Sequence, residues 1–301
     1  MATQTFKIFT PTIWSPRINY WLRKKLEAAK FFSDYSDEVA GGGDTINIPS
    51  IGDGFSASTI SVTTGSITGA NISDTKSALS VNTWVGNALV ISDFQKAQVQ
   101  KNYRLQEEYM QAQAYALAKN LDSAIIRLAA STTITTVGNS STALLATTIE
   151  KAISILTSRG VPTNECAFFL HPKTYWKRIM NVSKFYDASQ FGKPTLPTGV
   201  IDYLYGIPVV VTGQITTTTY AGDDGLQAAN ARRNLLAHKT AFAYAIGNIP
   251  GQQFIDGIRL TEARNSSSTG ADLATKVMAD VAYGVLLLNK SRVIKVLDKV
   301  A

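Results

Sequence analysis

Between Ile91 and Ser131 the chain reads ISDFQKAQVQKNYRLQEEYMQAQAYALAKNLDSAIIRLAAS, with neither glycine nor proline. Ser92 and Gln95 have the spacing of a capping box, whose side chains satisfy backbone N–H groups left unpaired by the first turn. Val99, Tyr103, Met110, Leu117, Leu121, Ile125 and Leu128 then recur on one stripe at helical spacing. The pattern predicts one long helix. At 1.5 Å per residue, roughly 37 residues reach about 55 Å, while a compact globule of this chain length is about 50 Å across. Such a helix is as long as the whole molecule should be wide.

The segment ahead of it constrains the fold in a second way. Residues 41–75, GGGDTINIPSIGDGFSASTISVTTGSITGANISDT, hold no Lys or Arg. Ile46 and Ile48 alternate with Thr45 and Asn47, and Ile60 and Val62 with Thr59 and Ser61; further on, Leu79, Val81 and Val85 alternate with Ser80, Asn82 and Trp84. Period-two alternation means strands half-buried on one face, punctuated here by Gly52, Gly54, Gly65 and Gly69. A flexible Gly/Ser linker would lack the alternation, and a phosphate-binding glycine loop would need a helix directly after its strand. The expectation is a polar two-stranded projection of about 50 residues. An isolated ribbon is marginal in water, so its apolar face needs a surface, expected to lie on another copy of the chain. Ile46, Ile48, Ile60, Val62, Leu79, Val81 and Trp84 are the candidate contacts.

Upstream, FKIFTPTIWSPRINYWLRKKLEAAK reads as an extended arm ending in a helix. Lys7, Arg17, Arg23, Lys24, Lys25 and Lys30 face only Glu27 in charge, with Trp14, Tyr20 and Trp21 interleaved. Two readings stand: a surface that neutralises phosphates, or an amphipathic helix with a solvated basic face. Past residue 131, helices and strands alternate. Thr147 and Glu150 have capping-box spacing before TTIEKAISILTSR, which stops at Gly160; CAFFL reads as a buried strand; Pro172 opens a helix; GIPVVVTG reads as a buried strand. GIRLTEARN and TKVMADVAYGVLLLNKSRVIKVL close the chain as strands, with Val277, Ala279, Val281, Tyr283, Val285 and Leu287 on one face. The class is α+β.

Composition narrows the function. A chain that is 45% hydrophobic can build a core, no apolar run is long enough to span a membrane, and the opening residues lack the pattern of a secretion signal. Only 17% of residues are charged, below the roughly 25% of typical soluble domains, consistent with surface covered by other chains. The net charge of +7 suits a polyanionic neighbour. His171 and His238 are the only histidines and Cys166 the only cysteine, too few for the common zinc spacings. His171 precedes Pro172 and is expected to cap a helix, and His238 to sit structurally in or beside a strand. Cys166 lies among apolar neighbours, which oppose a reactive thiolate. No nucleophile elbow, P-loop or dinucleotide fingerprint occurs. No catalytic residue, metal or cofactor is assigned.

The order of these parts resembles the major capsid proteins of tailed bacteriophages, with the Hong Kong 97-type fold, over essentially the whole length. GGGDTINIPSIGD opening a loop, the long helix from near Ser92, LHPKTYWKRIMN followed by GVIDYLYGIPVVVTGQI, and ADVAYGVLLLNKSRVIKV near the end carry the resemblance. It implies an N-terminal arm over 1–40, an extended loop over 41–91 lying on a neighbouring subunit, a peripheral domain from 92–131 and 251–301, and an axial domain over 132–250. It further implies a non-enzymatic subunit of pentamers and hexamers around double-stranded DNA, located in the virion after assembly in a bacterial cytoplasm. Arg17, Arg23, Lys24, Lys25, Lys290 and Arg292 are candidate DNA-facing residues, with Lys295 and Lys299 beside them. Many relatives carry a scaffolding segment ahead of the capsid domain, so the expectation here is a separate scaffolding protein or a scaffolding segment that has been removed, with a portal and a decoration protein as further partners and no membrane. Cross-linking of the kind some relatives perform is not carried over to Lys76. Three rivals stand: a nanocompartment shell of the same fold around an enzyme cargo, a tail or adhesion protein, and a hydrolase.

Overall fold

The computed structural model describes residues 27–39, 43–50, 60, 65, 74–93, 105–139, 142–181, 203–215, 217–220, 229–248, 253–255, 258–267 and 270–300. In chain order these form α1 (Ala28–Phe31), β1 (Ser33–Asp34), α2 (Ser36–Val39), β2 (Thr45–Ser50), β3 (Thr75–Ser80), β4 (Thr83–Ser92), α3 (Leu105–Arg127), β5 (Thr135–Val137), α4 (Ala146–Ser158), β6 (Cys166–Leu170), α5 (Pro172–Lys177), β7 (Tyr203–Leu204), β8 (Ile207–Val211), β9 (Thr217–Tyr220), β10 (Ala229–His238), β11 (Phe242–Gly247), β12 (Gln253–Ile255), β13 (Ile258–Ser267), β14 (Gly270–Leu287) and β15 (Val293–Lys299). The mixed helix and sheet class matches the expectation.

One strand organises the first sheet. The long β14 pairs antiparallel with β4, β11 and β13; β1 joins β11 in parallel and β12 joins β13. Its alternation places Val277, Ala279, Val281 and Tyr283 on a buried face, as the sequence predicts. Against that face lies α3, whose Leu117, Leu121 and Ile125 share one core with Ala279, Val281, Tyr283, Phe242 and Tyr244. Gln113 bridges the contact: its backbone carbonyl accepts from the Asn87 side-chain amide, and its own side-chain amide donates to the Val277 carbonyl. The 23 residues of α3 span about 35 Å. The helix tightens into a 3-10 turn over Leu128–Ala130 and ends where the sequence suggests. Ser92 closes β4, opposite Ala274; the proposed continuity through 94–104, with Val99 and Tyr103, lies outside the described residues.

The second sheet runs β5-β15-β10-β6-β8-β7, with β9 also on β10. Its β6, all five residues buried, is the predicted CAFFL strand. Beside it α4 ends in a Schellman turn: Gly160 N–H donates to Thr157 O at 2.9 Å and Val161 N–H to Leu156 O at 3.4 Å, with Gly160 at φ +73°. The start of α4 corrects the capping-box expectation. Leu145 is its N-cap, no side chain caps it, and Thr147 already lies inside the first turn. Leu144, Ala146 and Ile149 are buried together, so their packing sets the start. By contrast His171 caps α5 as expected, Nδ1 accepting from Lys173 N–H at 3.1 Å. The middle of β8 is half-buried; among the described strands, two-residue β7 alone pairs with its outer edge.

Pairing distributes the strands across the expected domain boundaries. Strand β11, assigned with 132–250, belongs to the first sheet, and β15, assigned with 251–301, lies between β5 and β10 in the second. Strand β4, assigned to the projecting loop, is a member of the first sheet along ten residues. Alternation marks a strand without naming its partner.

Asp298 holds the second sheet to its helices. Its fully buried carboxylate accepts from Thr174 Oγ1 at 2.7 Å, from Leu144 N–H at 3.1 Å and from Arg232, its cross-strand neighbour, at 3.1 Å, and Arg178 Nε lies 3.4 Å away. A similar device anchors the first described segment: Asp122 on α3 accepts from the N–H groups of Ala28 and Ala29 at 2.8 and 3.2 Å. Burial raises the Asp122 pKa against the pull of those two donors. Replacing one partner of a buried pair strands the other, at a cost of about 3–5 kcal/mol. Asp298→Ala should therefore lower subunit stability by about that amount in a denaturant titration, and a loss below about 1 kcal/mol would contradict this role.

Candidate functional site

A sheet strand points its side chains alternately to two faces, and α3 covers only one face of the first sheet. On β4, Val85, Asn87, Leu89 and Ile91 turn inward, while Trp84, Gly86, Ala88 and Val90 turn out. Beyond them on the outer face lie Met278 and Asp280 of β14, then Thr261 and Arg259 of β13. Trp84, Gly86, Ala88, Met278, Asp280, Thr261 and Arg259 line an open cavity of about 550 Å³. Trp84, 70% exposed, dominates its rim.

The indole is not loose. Trp84 Nε1–H donates to Asp280 Oδ2 at 2.8 Å, and Arg259 grips the same carboxylate with Nε to Oδ1 at 3.0 Å and an NH2 group to Oδ2 at 2.8 Å. Burial pushes the Asp280 pKa upward, but the hydrogen bonds from Arg259 and Trp84 outweigh it and hold the carboxyl below its ordinary value. A large, mostly exposed aromatic surface is thus tethered by its one polar atom, the form of a preorganised protein-binding anchor. Indole and guanidinium both donate to the one carboxylate. What they present outward is chiefly apolar.

The candidate contacts of the ribbon divide. Leu79 is fully buried, in a cluster with Val39, Ala243 and Ala245, against which Ile46, Ile48 and Val81 also pack. The expectation that these four need another copy for shelter is therefore corrected: α2 and β11 of the same chain lie beneath them. Gly284 permits the fit, since a β-carbon there would collide with the Ser80 carbonyl. Ile60 is about half exposed and Trp84 more so, while Val62 lies outside the described residues. Among the basic candidates, Lys290 and Arg292 are exposed on the turn between β14 and β15. Lys295 is buried, its ammonium donating to the Ser131 carbonyl at 3.2 Å, so it is no surface cation. Lys299 is exposed; Arg17, Arg23, Lys24 and Lys25 lie outside the described residues.

Further apolar groups are exposed at the far edge of the second sheet, Tyr203 and Tyr205 beside Val211, with Trp176 on α5 and Leu145 before α4. Chemistry for catalysis does not gather anywhere described. Cys166 is buried, and that burial, followed by the nearby Glu165, pushes its thiol up to about 11. Among the described residues, no group of His, Cys, Asp and Glu could hold a metal ion, and no helix is long and apolar enough to cross a membrane. The Arg259–Asp280–Trp84 set went unnoticed in the sequence, although Asp280 does fall on the outward phase between Ala279 and Val281.

Residues 74–296 match a family model described as phage capsid protein. No curated protein matches the chain. Among solved structures, the fold is similar to that of a chain from Mycobacterium phage Che8, with a TM-score of 0.73 and 19% identity over 97% of this chain and 98% of that one. A chain in the capsid structure of Cyanophage P-SCSP1u gives 0.74 and 16%, over 96% and 93%. One in the mature capsid of bacteriophage PhiM1 gives 0.68 and 11%, over 97% and 91%. At these identities the likeness is one of fold.

Arg259 donates two of the hydrogen bonds that lower the Asp280 pKa. In Arg259→Ala, the Asp280 carboxyl should titrate at higher pH than in the parent, as followed by side-chain carboxyl NMR. An unchanged midpoint would show that Arg259 does not hold it.

Proposed function

The chain belongs to the phage capsid protein family, and from that premise we propose that it is the major capsid protein of a tailed double-stranded DNA phage, assembling as pentamers and hexamers of an icosahedral head. One observation carries the assembly mechanism: among the described residues, the part of the first sheet's outer face formed by β4, β14 and β13 is left uncovered, with Trp84 hydrogen-bonded to Asp280 on it. A neighbouring copy covers that face. The exposed Ile60 supports a second contact, made by the loop between β2 and β3. The work is mechanical rather than enzymatic. Many interfaces, each modest, together hold a shell, because every subunit already tethered raises the effective concentration of the next contact.

In this reading the first sheet with α3 is the peripheral unit, and the second sheet, including β15, is the axial unit that gathers around the symmetry axes. The aromatic edge of Tyr203, Tyr205 and Trp176 supports that orientation, since aromatic residues are enriched in interface cores. Lys290 and Arg292, with Arg17, Arg23, Lys24 and Lys25 of the arm, contribute non-specific contacts to packaged DNA. A separate scaffolding protein, a portal and a decoration protein complete the set of partners, and assembly takes place in the host bacterial cytoplasm.

Trp84 is mostly exposed in the subunit, so truncating it should leave the fold intact while removing an interface anchor of about 2 kcal/mol or more at every repeat. For Trp84→Ala, electron microscopy should show no closed shells and circular dichroism an unchanged subunit; normal shells from this variant would overturn the assignment. The loop contact is checked separately by Ile60→Asp with Val62→Asp, expected to abolish shells without unfolding the subunit. Particles of the parent chain should carry double-stranded DNA, and shells consistently filled with an enzyme and no nucleic acid would favour the nanocompartment reading.

A further inference from the structure

The chain passes between its two sheets twice in close proximity, at residues 239–241 from β10 to β11 and at residues 288–292 from β14 to β15. The two crossings are stitched together. The N–H groups of Leu288 and Asn289 both donate to the Ala241 carbonyl, at 2.9 and 3.1 Å. Arg292 donates from its guanidinium to Thr240 Oγ1 at 2.6 Å. Thr240 in turn meets His238, with its N–H donating to Nδ1 at 3.2 Å and its hydroxyl 2.9 Å from the same nitrogen. The first crossing is also tied to the start of β6: Lys239 N–H donates to the Glu165 carbonyl at 3.1 Å, and the Lys239 ammonium sits 2.6 Å from Glu165 Oε1.

This wiring fixes the state of the imidazole. A nitrogen that accepts from a backbone N–H cannot carry a proton, so the proton of neutral His238 resides on Nε2. That nitrogen lies 3.2 Å from Glu165 Oε2. Because Thr240 Oγ1 accepts from Arg292, its own hydrogen is free to complete the second bond to Nδ1. A second proton on Nδ1 would confront the Thr240 N–H with another donor, in a buried site where a lost acceptor is costly. It would also add a positive charge beside Lys239 and Arg292. Glu165 alone among the facing charges favours the cation, and the opposing Cys166 thiol is neutral.

We propose that His238, Thr240 and Arg292 form an acid-released clasp between the two sheets: protonation of His238 at Nδ1 frees Thr240 and loosens the two crossings from each other. The charge balance sets the direction. Burial lowers the His238 pKa first; Glu165 raises it, and Arg292 and Lys239 lower it, leaving it below the ordinary histidine value. A depressed pKa means that the clasp contributes its full stability above the ordinary value of about 6.5 and loses it as pH falls through the folded-state pKa.

The proposal is independent of assembly and is tested on the unassembled full chain. Imidazole nitrogen NMR, with only two histidines to assign, should show His238 neutral at pH 7.5 with its proton on Nε2, titrating below about pH 6.5. Hydrogen exchange at Thr240, Leu288 and Asn289, corrected for intrinsic pH dependence, should accelerate about tenfold once His238 is protonated, equivalent to about 1.4 kcal/mol. In His238→Asn, whose side-chain oxygen replaces Nδ1 as an acceptor that cannot be protonated, the acid response should vanish. Thr240→Ala should exchange rapidly at neutral pH already. A proton on Nδ1 at pH 7.5, or an acid response of equal size in His238→Asn, would overturn the proposal; if that variant fails to fold, the tautomer and the exchange of the parent chain decide.

Discussion

The first sheet has two faces, and its long helix covers one of them. Leu117, Leu121 and Ile125 of α3 bury the side that carries Val277, Ala279, Val281 and Tyr283; on the other side Val39 and the ribbon's Leu79, Ile46, Ile48 and Val81 pack on Ala243, Ala245 and Leu286, and among the described residues that cover does not reach the β4 end. Trp84, Ala88, Val90 and Met278 are left on the other side. Apolar surface held rigidly in water gains free energy by association, at roughly 25 cal/mol per Å² removed from solvent, and a rigid anchor loses little entropy when it docks. The Arg259–Asp280 pair serves that rigidity, holding the indole by its one polar atom.

The interior polar groups do a different job. Asp298 and Asp122 are buried carboxylates, each accepting from backbone N–H groups of a segment distant in sequence. Directional bonds of this kind fix where elements sit, which apolar contact alone does less strictly. The crossing between sheets repeats the theme with His238, Thr240 and Arg292. A shell subunit needs this definition, since a small change in the angle between its two sheets is repeated around every symmetry axis.

Much of this architecture is legible in the sequence. The phase of β14, the buried CAFFL strand, the His171 cap and the Gly160 stop follow from local chemistry: period-two burial, a helix start before Pro172 and a residue at positive φ. Partnership does not. An alternating strand states that one face is buried but not by what, so Leu79, Ile46 and Ile48 looked destined for a neighbour when α2 and β11 of the same chain were available. For the same reason β15 read as a companion of β14, its neighbour in sequence, although it inserts between β5 and β10. The ion pairs were harder still, because Asp298 meets Arg232 across 66 residues and Asp280 meets Arg259 across 21, and no spacing rule joins them.

The central claim is that the bare face of the first sheet is covered by a sibling subunit. Hydroxyl-radical footprinting of free subunits and of assembled particles tests it most directly, because Trp84 and Met278 are both readily oxidised. The account predicts strong labelling of both in the free chain and protection of both in the shell. Equal labelling in the two states would contradict it.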